Sequence, residues 1–160
     1  MKGAAFVKKE GLKQKALEIG RVPTHLKLEI EDYGGDDKRA YFCWTDPQDE
    51  NIDIIVELGP DGELESLSRD IEPESGERLS EEKLEDIMRQ FVETHHPGAL
   101  SAFVREENDR AYGDKARFSY VQMEAGLPLP MSGFMADVSL SGEIVYFRYY
   151  GEAGSIIKPK

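Results

Sequence analysis

The chain has 160 residues, with 32 Asp+Glu against 20 Lys+Arg for a formal net charge of -12, 39% hydrophobic residues and a single cysteine. That length suits one domain of common size or two very small ones, and it can bury roughly two-thirds of the unfolded chain's surface. The acidic excess argues against nucleic acid and anionic membranes as partners, while Cys43 alone can form neither an internal disulfide nor a Cys-based zinc site.

Residues 1–15 hold no apolar h-region, and no stretch approaches ~18 uninterrupted apolar residues. As given, the sequence reads as cytoplasmic; as part of an exported protein it would be extracytoplasmic. Leu12, Ala16 and Ile19 share one helical face, and Gly20 with Pro23 supplies a stop. Leu26, Leu28 and Ile30 alternate with Lys27, Glu29 and Glu31, the period of a strand with one face buried. Gly34-Gly35-Asp36-Asp37 turns the chain into a second strand, Ala40 to Thr45, and a third spans Ile52 to Leu58. Gly59-Pro60-Asp61-Gly62 fits a type I turn, which folds Glu63 to Leu67 back as a fourth strand.

Residues 70–79 are polar, carry Pro73 and Gly76, and read as a linker. Beyond it Ser80 is a good N-cap, Glu81 and Glu82 favour the positive end of a helix dipole, and Leu79 can staple onto Leu84. Leu84, Ile87, Met88, Phe91 and Val92 form one stripe of a helix that ends near His95-His96, before Pro97. Strands are expected at Leu100–Arg105, Arg117–Glu124, Phe134–Leu140 and Glu143–Tyr149, the last two joined by Ser141-Gly142. Val56-Glu57-Leu58, a turn and Gly62-Glu63-Leu64 line up with Val138-Ser139-Leu140, a turn and Gly142-Glu143-Ile144, two residues of turn length apart. The expected fold is therefore α+β: two tandem units, each one helix packed on a four-stranded antiparallel sheet. The first spans residues 1–69 and the second 80–152, with a tail at 153–160.

Arg117-Phe118-Ser119-Tyr120, Gly126-Leu127-Pro128-Leu129-Pro130 and the hairpin from Gly133 to Phe147 resemble the aromatic strand, Gly-hydrophobic-Pro loop and final hairpin of PepSY-type domains and thermolysin-type propeptides. Over residues 10–151, including Trp44-Thr45-Asp46-Pro47, the chain resembles YcdB/YcdC-type repeat proteins. The first unit has Asp46-Pro47-Gln48-Asp49 where the second has its Gly-Leu-Pro element. The resemblance implies PepSY/cystatin-like units that bind protein or peptide, in some relatives as peptidase inhibitors or folding aids. Those relatives are usually longer, so the chain reads as a fragment.

No catalytic, cofactor-binding or metal-ligating residue stands out, and no cofactor is expected. His95 and His96, with Glu93, point about 100° apart on a helix and suit its C-terminal dipole better than a shared ion. His25 is isolated. Asp46-Pro47-Gln48-Asp49-Glu50-Asn51 with Glu57 echoes a calcium loop, yet Asn51 stands where glycine is needed and a strand follows. Cys43 lies within a strand, Gly-x-Ser-x-Gly is absent, and pairs such as Glu81-Glu82 and Glu106-Glu107 read as solvated surface.

The last strand is apolar on both sides. Ile144, Tyr146 and Arg148 face one way, and Val145, Phe147 and Tyr149 the other. Its second face either packs against the sister unit or offers an aromatic patch. The expected contact residues for a protein or peptide partner are Phe147, Tyr149, Val145, Leu127 and Pro128, with strand addition or oligomerisation at a sheet face or edge as the mode. The rivals are a hydrolase or metal-dependent enzyme, with carboxylates and His95 in a cleft between units, and a scaffold piece of a larger protein.

Overall fold

A computed structural model describes residues 2–34, 39–72, 76–106, 111–112 and 114–152. Residues 73–75 of the expected linker at 70–79, residues 35–37 of the expected turn at 34–37, Glu107 and the tail at 153–160 lie outside the described residues. The architecture is α+β, with antiparallel sheets and few helices, and the chain divides into two compact units, Met1–Glu72 and Pro73–Lys160.

In the first unit α1 (Lys2–Gly20) precedes β1 (Lys27–Asp32), β2 (Ala40–Asp46), β3 (Asp49–Leu58) and β4 (Leu64–Asp70), antiparallel and in that order across the sheet. Alternation along β2 to β4 sends Phe42, Trp44, Ile54, Val56, Leu58, Leu64 and Leu67 into the core, where each is almost fully buried. Removing each such side chain from water contributes about 1.5–3 kcal/mol. Helix α1 covers this face with Ala16, and its last residue, Gly20, packs so closely that a Cβ would sit 3.1 Å from Ile54 Cγ2. The Arg69 side chain donates from Nε to the Gly20 carbonyl at 2.9 Å, placing a cation at the negative end of the helix.

Strand β1 departs from its sequence pattern. Leu26 is buried, but Leu28 is only half-buried and Ile30 is 45% exposed. A bulge between Leu28 and Ile30 shifts the register, and β1 is the edge strand of its sheet, so the alternating face runs out past the core.

The second unit holds α2 (Glu81–His95), a short α3 (Ala99–Ala102), β5 (Val104–Arg105), β6 (Ala111–Tyr112), β7 (Lys115–Val121), β8 (Met123–Glu124), β9 (Leu127–Pro128), β10 (Gly133–Ser139) and β11 (Ile144–Gly151). Its sheet orders β11, β10, β7 and β5, with β6 also on β7, while β8 and β9 form a separate hairpin. Ser80 caps α2 by accepting the Lys83 N–H, and Leu84, Met88 and Val92 are buried against the sheet. The expected strand at Leu100–Arg105 survives only as Val104–Arg105. Gly98, with φ +89°, instead opens a turn of helix that Phe103 closes through its N–H to Ala99.

The β3–β4 and β10–β11 hairpins share one register. Leu58 pairs with Leu64 and Val138 with Ile144, each beside a bulge, and the turn bonds are the same: Gly59 N to Glu63 O and Ser139 N to Glu143 O, both 2.7 Å, with Gly62 N to Gly59 O and Gly142 N to Ser139 O, both 2.9 Å. Gly62 (φ +82°) and Gly142 (φ +102°) occupy the left-handed position that closes such a three-residue loop. The alignment expected from sequence is corrected accordingly: Leu58 corresponds to Val138, and the turns are equal in length. In the neighbouring strands, Ala40, Phe42 and Trp44 pair with Leu58, Val56 and Ile54 as Ala116, Phe118 and Tyr120 pair with Val138, Ala136 and Phe134.

Candidate functional site

In the second unit one face of the sheet lies under α2, and among the described residues of the unit the other carries no helix. Phe118, Tyr120, Phe134, Ala136, Val138 and Phe147 are buried on the helix side. The cross-strand partners between them, Ser119, Val121 and Met135, alternate to the other side and are half-buried. At the end of β7 the chain leaves the sheet at Gln122 and forms the β8–β9 hairpin.

The base of this excursion is pinned. Leu129 donates its N–H to the Gln122 carbonyl at 2.8 Å, and Ser132 Oγ accepts the Gln122 N–H at 3.0 Å while donating to the Leu129 carbonyl at 2.5 Å. Leu129 and Ser132 are both buried. The tip turns through Ala125 (φ +54°) and Gly126 (φ +80°), and Met131 also has a positive φ of +56°. A non-glycine residue held there costs on the order of 1 kcal/mol and persists only where its surroundings fix it.

This anchored segment presents apolar side chains to solvent. Leu127 is 67% and Met131 70% exposed, Met123 is 41% exposed, and Val104, paired with Val121 at the end of β5, is 52% exposed. Four of the six large hydrophobics exposed among the described residues thus gather at one end of β7. Beside them runs a groove of about 380 Å³, with Ser119, Val121, Met135 and Tyr150 along the helix-free face, Pro128 to Ser132 as a wall, and Glu106 at its edge.

The expected contact residues separate. Leu127 and Pro128 lie exposed on β9, where a partner could reach them. Phe147 does not: it is fully buried in its own unit, 5.3 Å from the Phe91 ring and 6.2 Å from Phe134. Helix α2 covers this face of β11, so Phe147 is not available as the centre of an aromatic patch, and that expectation is corrected. Tyr149 is half-buried, with its ring stacked 3.7 Å from the His96 ring at 9°, and burial followed by the nearby Glu152 carboxylate pushes its hydroxyl pKa up. Val145 is half-buried at the bulge. Sequence reasoning missed Met123, Met131 and Val104. The signal available was the pair Gly126 and Ser132 bracketing two prolines, which fixes a short protruding loop.

A second cavity of about 510 Å³ lies at the start of α2, lined in part by Leu79, Leu84, Arg105, Arg117 and Leu140. Two of its arginines are committed. Arg117 holds the fully buried Asp137 carboxylate through two bonds of 2.8 and 2.9 Å, and Arg105 pairs with Glu85 while lying 5.1 Å over the Phe118 ring. Elsewhere Asp46 and Asp49 accept the N–H groups of Gln48 and Asn51 in a tight hairpin, so the calcium-loop echo is a self-capped turn. His95 contacts Phe91 at 4.5 Å, and His25 lies 3.7 Å from Asp46. Among the described residues no three His, Cys, Asp or Glu side chains gather closely enough to hold a metal ion, and no helix is long and apolar enough to cross a membrane. Cys43 is buried, and that burial, with Asp53 and Glu29 nearby, raises its thiol pKa, the opposite of nucleophile activation.

A family model described as the YcdB, YcdC repeated domain matches residues 9–151. The chain belongs to that family. The uncharacterised protein YcdB of Bacillus subtilis (strain 168) is 97% identical over 160 residues, which cover 100% of this chain and 34% of that protein. The uncharacterised protein YcdC of the same organism is 45% identical over 144 residues, 88% of this chain and 32% of its own length. The chain thus spans about a third of the length of these YcdB/YcdC relatives. Among solved structures the Bacillus megaterium YpeB C-terminal domain matches with a TM-score of 0.65 at 17% identity, over 94% of this chain and 69% of that one, a likeness of fold.

Proposed function

We propose that this YcdB/YcdC repeated domain is a non-catalytic module that binds protein or peptide, built from two copies of a PepSY-like unit and making contact through the β8–β9 segment of the second. The shared hairpin register of Leu58–Leu64 and Val138–Ile144 supports the duplication. One observation carries the binding reading: Met123, Leu127 and Met131 are exposed on a segment that Leu129 and Ser132 tie down, so apolar surface is held outward instead of collapsing. A prearranged contact of this kind reduces the ordering cost of association. Inhibition of a peptidase or assistance to folding are the two ways such a contact would act.

The reading is tested by panning a random peptide library against the whole chain and against the double variant Leu127→Ser, Met131→Ser. Peptides should enrich on the parent and lose binding to the variant, whose circular dichroism stays unchanged because both residues are exposed. Failure to enrich any peptide, or equal binding to both proteins, would contradict it.

A further inference from the structure

We infer that the groove beside β9 takes a peptide segment whose apolar side chains are flanked by lysine or arginine. The inference rests on the binding reading above and adds the chemistry of the ligand. The groove of about 380 Å³ lies near the lower end of the range typical of ligand sites, so it has room for side chains of an extended segment. Met131 and Met135 line it, and methionine adapts its shape to leucine or aromatic side chains of different outline.

Charge selects the flanks. Glu106 stands in the lining, and Glu124 is exposed on β8 directly across from Leu127. The described cations on this face are engaged: Arg148 lies 5.3 Å over the Tyr150 ring, and Lys115 and Arg117 both pair with the buried Asp137 carboxylate, while Arg105 on the opposite face is paired with Glu85. The chain's net charge of -12 adds a field in the same direction as the two glutamates. An acidic segment would meet repulsion from Glu106 in the lining and from Glu124 on the neighbouring hairpin, whereas a basic one would meet an attractive carboxylate at each.

The test uses three synthetic peptides of equal length and identical leucine and phenylalanine content, flanked by lysine, serine or glutamate, titrated into the whole chain by fluorescence anisotropy at low and high salt. The lysine-flanked peptide should bind about fivefold tighter than the serine-flanked one and the glutamate-flanked peptide weakest, with the preference collapsing at high salt and in Glu106→Gln, Glu124→Gln. Equal affinity for lysine and serine flanks would overturn the inference while leaving peptide binding intact. Lysine-dependent binding that persists in Leu127→Ser, Met131→Ser would be general attraction to an acidic chain and would also overturn it. If none of the three binds, this inference fails, and the binding reading is then decided by the library alone.

Discussion

Asp53 faces Asp70 across β3 and β4, and its carboxyl pKa is raised, first by burial and then by the facing carboxylate. The folded chain therefore holds this proton more firmly than the unfolded chain does. Stability is lost as pH rises from the ordinary aspartate range through the raised one. Asp53→Asn should accordingly raise the thermal midpoint at neutral pH and flatten the fall in stability just above the ordinary aspartate range. A midpoint at neutral pH that is unchanged or lower would contradict this account. His96 illustrates a different solution for a buried polar group. It closes α2 with its N–H on the Val92 carbonyl and stacks its ring between aromatic neighbours, 3.7 Å from Tyr149 and 5.8 Å from Phe147. That stacking packs the end of α2 against β11.

At the scale of elements, the two hairpin turns share hydrogen bonds but not surroundings. A Cβ at Gly62 would meet Leu12 Cδ2 at 3.4 Å, an ordinary contact, whereas one at Gly142 would lie 2.9 Å from Leu79 Cδ1 and 3.0 Å from Ile87 Cδ1. Both substitutions to alanine carry the left-handed penalty of about 1 kcal/mol, and Gly142→Ala adds the displacement of side chains at the start of α2. Chemical denaturation should rank Gly142→Ala as the more destabilising. Equal losses would mean that the turn at 139–143 is looser than the register implies.

Much of this was legible in the chain. Helix α2 announces itself because Ser80, the first-turn glutamates and the Leu84 to Val92 stripe agree, and β2 to β4 follow from alternation punctuated by Gly59-Pro60-Asp61-Gly62. Alternation reports which residues share a face and not what covers that face, so it could not decide that α2 lies over Phe147, nor that β1 sits at an edge. The Leu100–Arg105 segment is apolar enough for either state, and the left-handed turn at Gly98 tips it to helix. At the site, Leu127 and Pro128 were readable from the Gly-Leu-Pro loop. The exposure of Met123 and Met131 was not, because it depends on bonds between Gln122, Leu129 and Ser132 that close only when the sheet has formed.

Across the whole molecule, the proposed binding reading draws on surface and charge together. The acidic surplus sets a negative field over the chain, and four of the six large hydrophobics exposed among the described residues lie at the β7 end of the second unit. On the proposed reading, the β8–β9 segment is the surface that meets a partner. The direct measurement is an amide chemical-shift titration of the isotopically labelled chain with the lysine-flanked peptide. Shifts should cluster at Glu106, Ser119, Val121, the non-proline residues of 123–132, Met135 and Tyr150. Shifts that cluster instead at the start of α2, around Leu79 to Glu85, or that scatter over every acidic stretch of the chain, would contradict the account.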